Sequence, residues 1–289
     1  MQALANFVLR GRYQACLAAF LGSFLPLLGP ACIGLVTLRK GVKEGLLVFL
    51  WVSLPLLLLH QLSADSAFIT ALSLLSLGIL VVAATAHSLL ASWQWTILVI
   101  VVAIALSVLV LGVAMSAEVG ALLNSIENMM AEIALSSDDA ISKIAITKPL
   151  VLGLIAMALS LASILSLMVS RWWQALVYNP GGFQQEFHGF AIDKSIAIPL
   201  IAIIWGGQLL PQGYQFWTEL AALPLVIAGF ALIHFAVKLL QLGSHWLVLL
   251  YVALILFGTW VSMLIVAVAA ADSFLDLRSR LADMKNRQS

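Results

Sequence analysis

The chain has 289 residues, of which 63% are hydrophobic and only 9% charged, with a mean hydropathy of +1.11. A soluble domain carries about a quarter charged residues, so the composition excludes an ordinary soluble fold and points to a bilayer as solvent. The net charge of +1 comes with no basic patch interleaved with aromatics, which excludes nucleic acid as a partner. Cys16 and Cys32 both lie in apolar runs and read as small apolar side chains, not as a disulfide framework.

The first apolar segment, Gln14–Leu38, contains Pro26 and Pro30 with Gly22, Gly29 and Gly34 around them. Two prolines this close remove two helix donors and favour a break. Arg10 and Arg12 precede the segment, and Arg39, Lys40 and Lys43 follow it. Short loops rich in Lys and Arg stay in the cytoplasm, so the segment is expected to be a helical hairpin with its tip near Pro26–Pro30; one long kinked span is the alternative. The GPAC sequence ending at Cys32 is not expected to be a lipoprotein cleavage site, because proline directly precedes the Ala–Cys pair.

Glu44–Leu62, Ala67–Ala86 and Gln94–Ser116 each approach the roughly 20 residues of a spanning helix. The acidic insertion Glu118–Lys148 sets Glu118, Glu127, Glu132, Asp138 and Asp139 against Lys143 and Lys148. Apolar residues from Val119 to Ile133 recur at helical spacing, predicting an amphipathic extramembrane helix, with a second short helix capped near Asp139. Pro149–Ser170 follows, with Lys148–Pro149 as its start and a stripe of small residues, Gly153, Ala156, Ser160, Ser163 and Ser170. In lipid such a stripe lets helices approach closely.

Arg171–Lys194, RWWQALVYNPGGFQQEFHGFAIDK, is the most informative loop. Arg171, Trp172 and Trp173 suit a cytoplasmic interface, Asn179, Pro180, Gly181 and Gly182 signal a turn, and Phe183 opens a short amphipathic helix with Phe187 and Phe190. These residues, Arg171 to Trp173 and Asn179 to Phe183, are the candidate interfacial or partner-binding set. Ser195–Leu210, Trp217–Leu240 and Ser244–Ala271 are the remaining apolar segments, before a polar tail from Asp272 to Ser289. If Arg39–Lys43 and the tail are both cytoplasmic, one of the seven intervening apolar segments fails to cross. Ser195–Leu210, short and interrupted by Pro199, Gly206 and Gly207, is the expected one.

The chain has no phosphate-binding glycine loop, HExxH, CxxC or nucleophile elbow, so no enzyme activity, cofactor or metal is expected. His234 and Lys238, one turn apart within a span, are the candidate solute contacts, since ionisable groups inside a membrane default to functional readings. Local structure is the competing reading of the pair.

RWWQALVYNPGGFQQEF, DSFLDLRSR and the early LPLL…LVTLRKG together resemble the uncharacterised bacterial YybS-type membrane protein family, a domain of unknown function. More distantly, the early hairpin and small-residue bundle are similar to the substrate-binding subunits of energy-coupling-factor transporters. That likeness implies docking of a partner through a small-residue stripe, which Ala15, Ala19 and Ser23 would supply here. The expected fold is all-α: one polytopic transmembrane helix bundle of about eight apolar segments with an early broken helix or hairpin. The expected function is a small-molecule-binding or transport-related subunit of the bacterial inner membrane, working with partner proteins and contacting the lipid bilayer. A non-transporting scaffold of envelope or membrane-protein assembly is the alternative.

Overall fold

The computed structural model describes residues 1–25, 27–62, 66–136, 146–211 and 213–287, and every regular element among them is helical. Six helices are long and apolar enough to cross a membrane, or seven if one bent pair counts as a span. The chain is therefore a multi-pass membrane helix bundle. It divides into two compact units, Met1–Asn179 with Leu209–Leu220, and Pro180–Gln208 with Ala221–Ser289. The second amphipathic helix expected from Asp139 lies outside the described residues.

The first unit opens with α1 (Gln2–Arg10), α2 (Arg12–Gly22) and α3 (Leu28–Lys40). The expected break is present: α2 ends at Gly22, and Leu27 takes the left-handed φ of +67°. The turn closes its own backbone, with Leu25 N donating to Gly22 O at 3.0 Å and Ala31 N to Leu27 O at 2.9 Å. α2 and α3 are antiparallel. The Arg12 guanidinium, at the start of α2, donates to both Glu44 carboxylate oxygens at 2.9–3.0 Å, and Glu44 follows the end of α3 directly. The expectation that Arg10 and Arg39 share one end of the bundle is met.

From that cationic end α4 (Val42–Leu62) runs away, α5 (Ala67–Leu90) returns and α6 (Trp93–Ala114) runs away again. The amphipathic α7 (Ser116–Ser136) follows, and α8 (Lys148–Tyr178) comes back. Thr147 caps α8 by accepting from Leu150 N at 3.4 Å, with Pro149 in the first turn where a missing donor costs nothing. α8 continues two turns past Ser170, and at its far end Arg39 lies 4.0 Å over the Tyr178 ring while the Gln2 amide donates to Leu176 O at 3.2 Å. Arg10, Arg12, Arg39, Lys40 and Lys43 thus gather at one end, and the acidic α7 at the other.

The small-residue stripe of α8 is buried from Gly153 through Ala156, Ser160 and Ser163 to Ser170. Ser170 Oγ donates to Ala31 O on α3 at 2.9 Å, and a Cβ built on Gly34 would overlap Ser170 Oγ and stand 2.9 Å from its Cβ. At the opposite end of α8, Gly153 admits Phe216 and Trp217, and the Trp217 indole donates to Pro149 O at 2.9 Å. Asn179 and Trp217 therefore touch opposite ends of the same helix. Between those residues in sequence come α9 (Gly182–Gly189) and α10 (Lys194–Gly206), bent by 65° at their junction. Ser195–Leu210, the segment expected not to cross, falls within this bent pair, which is long and apolar enough for one broken span or a re-entrant loop.

The second unit holds α9, α10, most of α11 (Gln215–Leu239), α12 (His245–Leu275) and α13 (Leu277–Asn286). α10 packs on α12, burying Ile196, Ala197 and Leu200. On α12, Ile265, Ala269 and Asp272 are buried.

Because Gly34 has no room for a side chain, Gly34→Ala should lower unfolding stability in detergent by about 1–3 kcal/mol through overpacking. Adding Ser170→Gly should restore most of the loss. Wild-type stability of the single variant would contradict the close approach of α3 and α8.

Candidate functional site

The polar residues of the second unit converge where α11 ends. α9 lies across the last turns of α11 through three side-chain contacts. The Phe187 ring is 5.6 Å from the His234 ring, His188 is 6.3 Å from Phe235, and Lys238 Nζ donates to Gln184 Oε1 at 2.5 Å. Helical spacing produces this: Gln184, Phe187 and His188 share one face of α9, and His234, Phe235 and Lys238 one face of α11.

His234 is spoken for on both nitrogens. Nδ1 lies 2.8 Å from Phe230 O, a carbonyl that can only accept, so Nδ1 carries the proton. Nε2 lies 3.2 Å from the Tyr251 hydroxyl, and the Tyr251 ring stacks on Phe230 at 5.9 Å. The candidate solute contacts, His234 and Lys238, are thus both engaged by the protein's own groups.

Beside them sits a charged latch that sequence reasoning missed. Arg278 pairs with Asp272 and donates from Nε to His188 O at 3.0 Å and from Nη2 to Phe190 O at 2.6 Å. Asp272 also accepts from Leu277 N at 2.9 Å, and Asp276, at φ +47°, caps α13 by accepting from Ser279 N. One guanidinium therefore satisfies the trailing carbonyls of α9 and ties the end of α12 to them. The signal was available in DSFLDLRSR, where a carboxylate and an arginine six residues apart flank a helix break.

The interfacial candidates separate. Arg171 donates to Gln174 Oε1 at 3.1 Å, and Trp172 is partly exposed. Trp173 is 0% exposed in the core of the first unit, and its Nε1 has no hydrogen-bond partner. The two adjacent tryptophans differ in burial because neighbours on a helix point about 100° apart. Asn179, Pro180 and Gly181 form the expected turn, with Gly181 at φ +89° supplying the left-handed step. Gly182 is buried at the start of α9, and Phe183 stacks on Phe187 with centroids 6.0 Å apart. The turn is also where the chain passes from one compact unit to the other.

Ala15 and Ala19 are buried against the chain's own helices, while Ser23 is half-buried. Among the described residues no three His, Cys, Asp or Glu side chains lie close enough to hold a metal ion. No family model, curated protein or solved structure matches this chain.

Arg278→Met should cost about 3–5 kcal/mol, because it strands the buried Asp272 carboxylate. The double change with Asp272→Asn should recover a large part of that loss in a detergent unfolding measurement. Additive losses would show that the pair does not act as a unit.

Proposed function

We propose that this chain is a small-molecule-binding subunit of a membrane assembly, held in a bacterial cytoplasmic membrane with its cationic end inside. The sidedness rests on the gathering of Arg10, Arg12, Arg39, Lys40 and Lys43 at one end and the acidic α7 at the other. The observation that carries the binding reading is the interruption between α2 and α3. The eleven residues of α2 reach about 16 Å from Arg12, near the middle of a hydrocarbon core about 30 Å thick. Broken backbone at that depth is tolerated where protein covers it or where it lines a cavity. Here Phe24 is 60% and Leu25 54% exposed, so the helices of the first unit do not cover the tip. Phe20 meets Phe24 at 6.0 Å and Trp51 at 6.4 Å, both edge to face, giving the tip an aromatic wall. That chemistry fits an apolar or amphipathic molecule better than a charged solute.

A scaffold role in membrane-protein assembly is the second reading, favoured by α12. Its most apolar stretch is only 11% buried, against 28–50% for the other candidate spans. Native mass spectrometry of the purified protein separates the two. A retained small molecule that is lost in Phe24→Ala, with the melting temperature unchanged, supports the binding subunit. A retained protein partner and no small molecule supports the scaffold and overturns the first reading.

A further inference from the structure

By length and composition α12 reads as a spanning helix, yet it is two helices joined at an elbow. Gly258 has φ +28° and ψ −96°, far outside the helical region and in a range that L side chains rarely adopt. The arms, 245–257 and 259–275, are about 20 Å and 26 Å long at 1.5 Å per residue. Each falls short of the roughly 30 Å hydrocarbon core.

The contacts of the arms show where each one goes. Seven residues before the elbow, Tyr251 meets Phe230 and His234 of α11. Seven residues after it, Ile265 lies against Gly229, where an added Cβ would stand 2.6 Å from the Ile265 carbonyl oxygen. Equal steps away from Gly258 in both directions thus arrive at the same level of α11. Beyond those points both arms continue towards the end of α11. The first arm begins at His245, after a five-residue link from Leu239 in which Leu242 N donates to Val237 O at 2.9 Å. The second arm ends at Asp272, paired with Arg278, whose guanidinium reaches His188 and Phe190 beside Phe235. On α13, Lys285 Nζ donates to Leu239 O, at the end of α11, at 2.6 Å.

We infer that His245–Leu275 is a re-entrant element: it enters the membrane from the face where α11 ends, turns at Gly258 and leaves by the same face. The polar tail then lies on the same side as the 240–244 loop. This places the non-crossing segment demanded by the charge distribution at the end of the chain, and it depends on neither functional reading.

The test uses single cysteines in a Cys16→Ala, Cys32→Ala background, probed with a membrane-impermeant maleimide in right-side-out and inside-out vesicles. Ser244→Cys and Arg287→Cys sit at exposed positions on the two sides of the element. Both should be modified in the same vesicle orientation and protected in the other. Modification in opposite orientations would make α12 a complete span and overturn the inference. His245→Cys with Asn286→Cys gives the same reading if either of the first pair fails to express.

Discussion

The contact on which the first unit depends is the approach of α3 to α8 at Gly34 and Ser170. Ser170 Oγ lies on the Ala31 carbonyl and also on the Ser166 carbonyl one turn back, at 2.9 and 2.7 Å. In lipid no hydrophobic force draws two apolar helices together, so close backbone packing and shared hydrogen bonds must do it. A single added methyl at Gly34 has nowhere to go. The approach holds the half-length α3 upright beside a 31-residue helix, which lets the chain turn back at Leu27 without unravelling.

Several other features follow from that pairing. With α3 and α8 parallel, Arg39 arrives over Tyr178, and the cations on both sides of the hairpin collect at one end. Polar side chains in the interior answer to their own helices: Thr37 donates to Ile33 O and Ser166 to Ala162 O at 2.8 and 2.7 Å. Their hydroxyls therefore cost little in hydrocarbon. Ser160 and Trp173 depart from this pattern, each with a buried polar atom that lacks a partner. In the second unit, Arg278 has the comparable role. It ends α9, neutralises Asp272 and ties the end of α12 to the carbonyls of His188 and Phe190.

The hairpin was legible because three independent signals coincided: two prolines, neighbouring glycines and cations on both flanks. The start of α8 and the turn at Asn179–Gly181 were legible for the same reason, since proline and glycine act locally. The elbow in α12 was not. Gly258 is one glycine in an unbroken apolar run, and glycine is common in membrane helices without bending them. The 65° bend between α9 and α10 was not legible either, since no charge marks it. At the candidate site, the pairing of His234 and Lys238 on one helix face was visible, whereas their partners Tyr251 and Gln184 come from separate elements. Contacts between elements leave no periodicity to read.

The central claim is that the chain turns back within its first forty residues and so brings both flanks to one end. Arg12→Cys and Glu44→Cys in an otherwise cysteine-free chain test it directly, since the native side chains are in hydrogen-bond contact. The account predicts efficient intramolecular cross-linking by a short bifunctional maleimide in membranes, whose reach matches the two side chains it replaces, seen as a mobility shift. A single kinked span would hold the two positions a membrane thickness apart; absence of the cross-link, with the two cysteines modified from opposite faces, would contradict the hairpin.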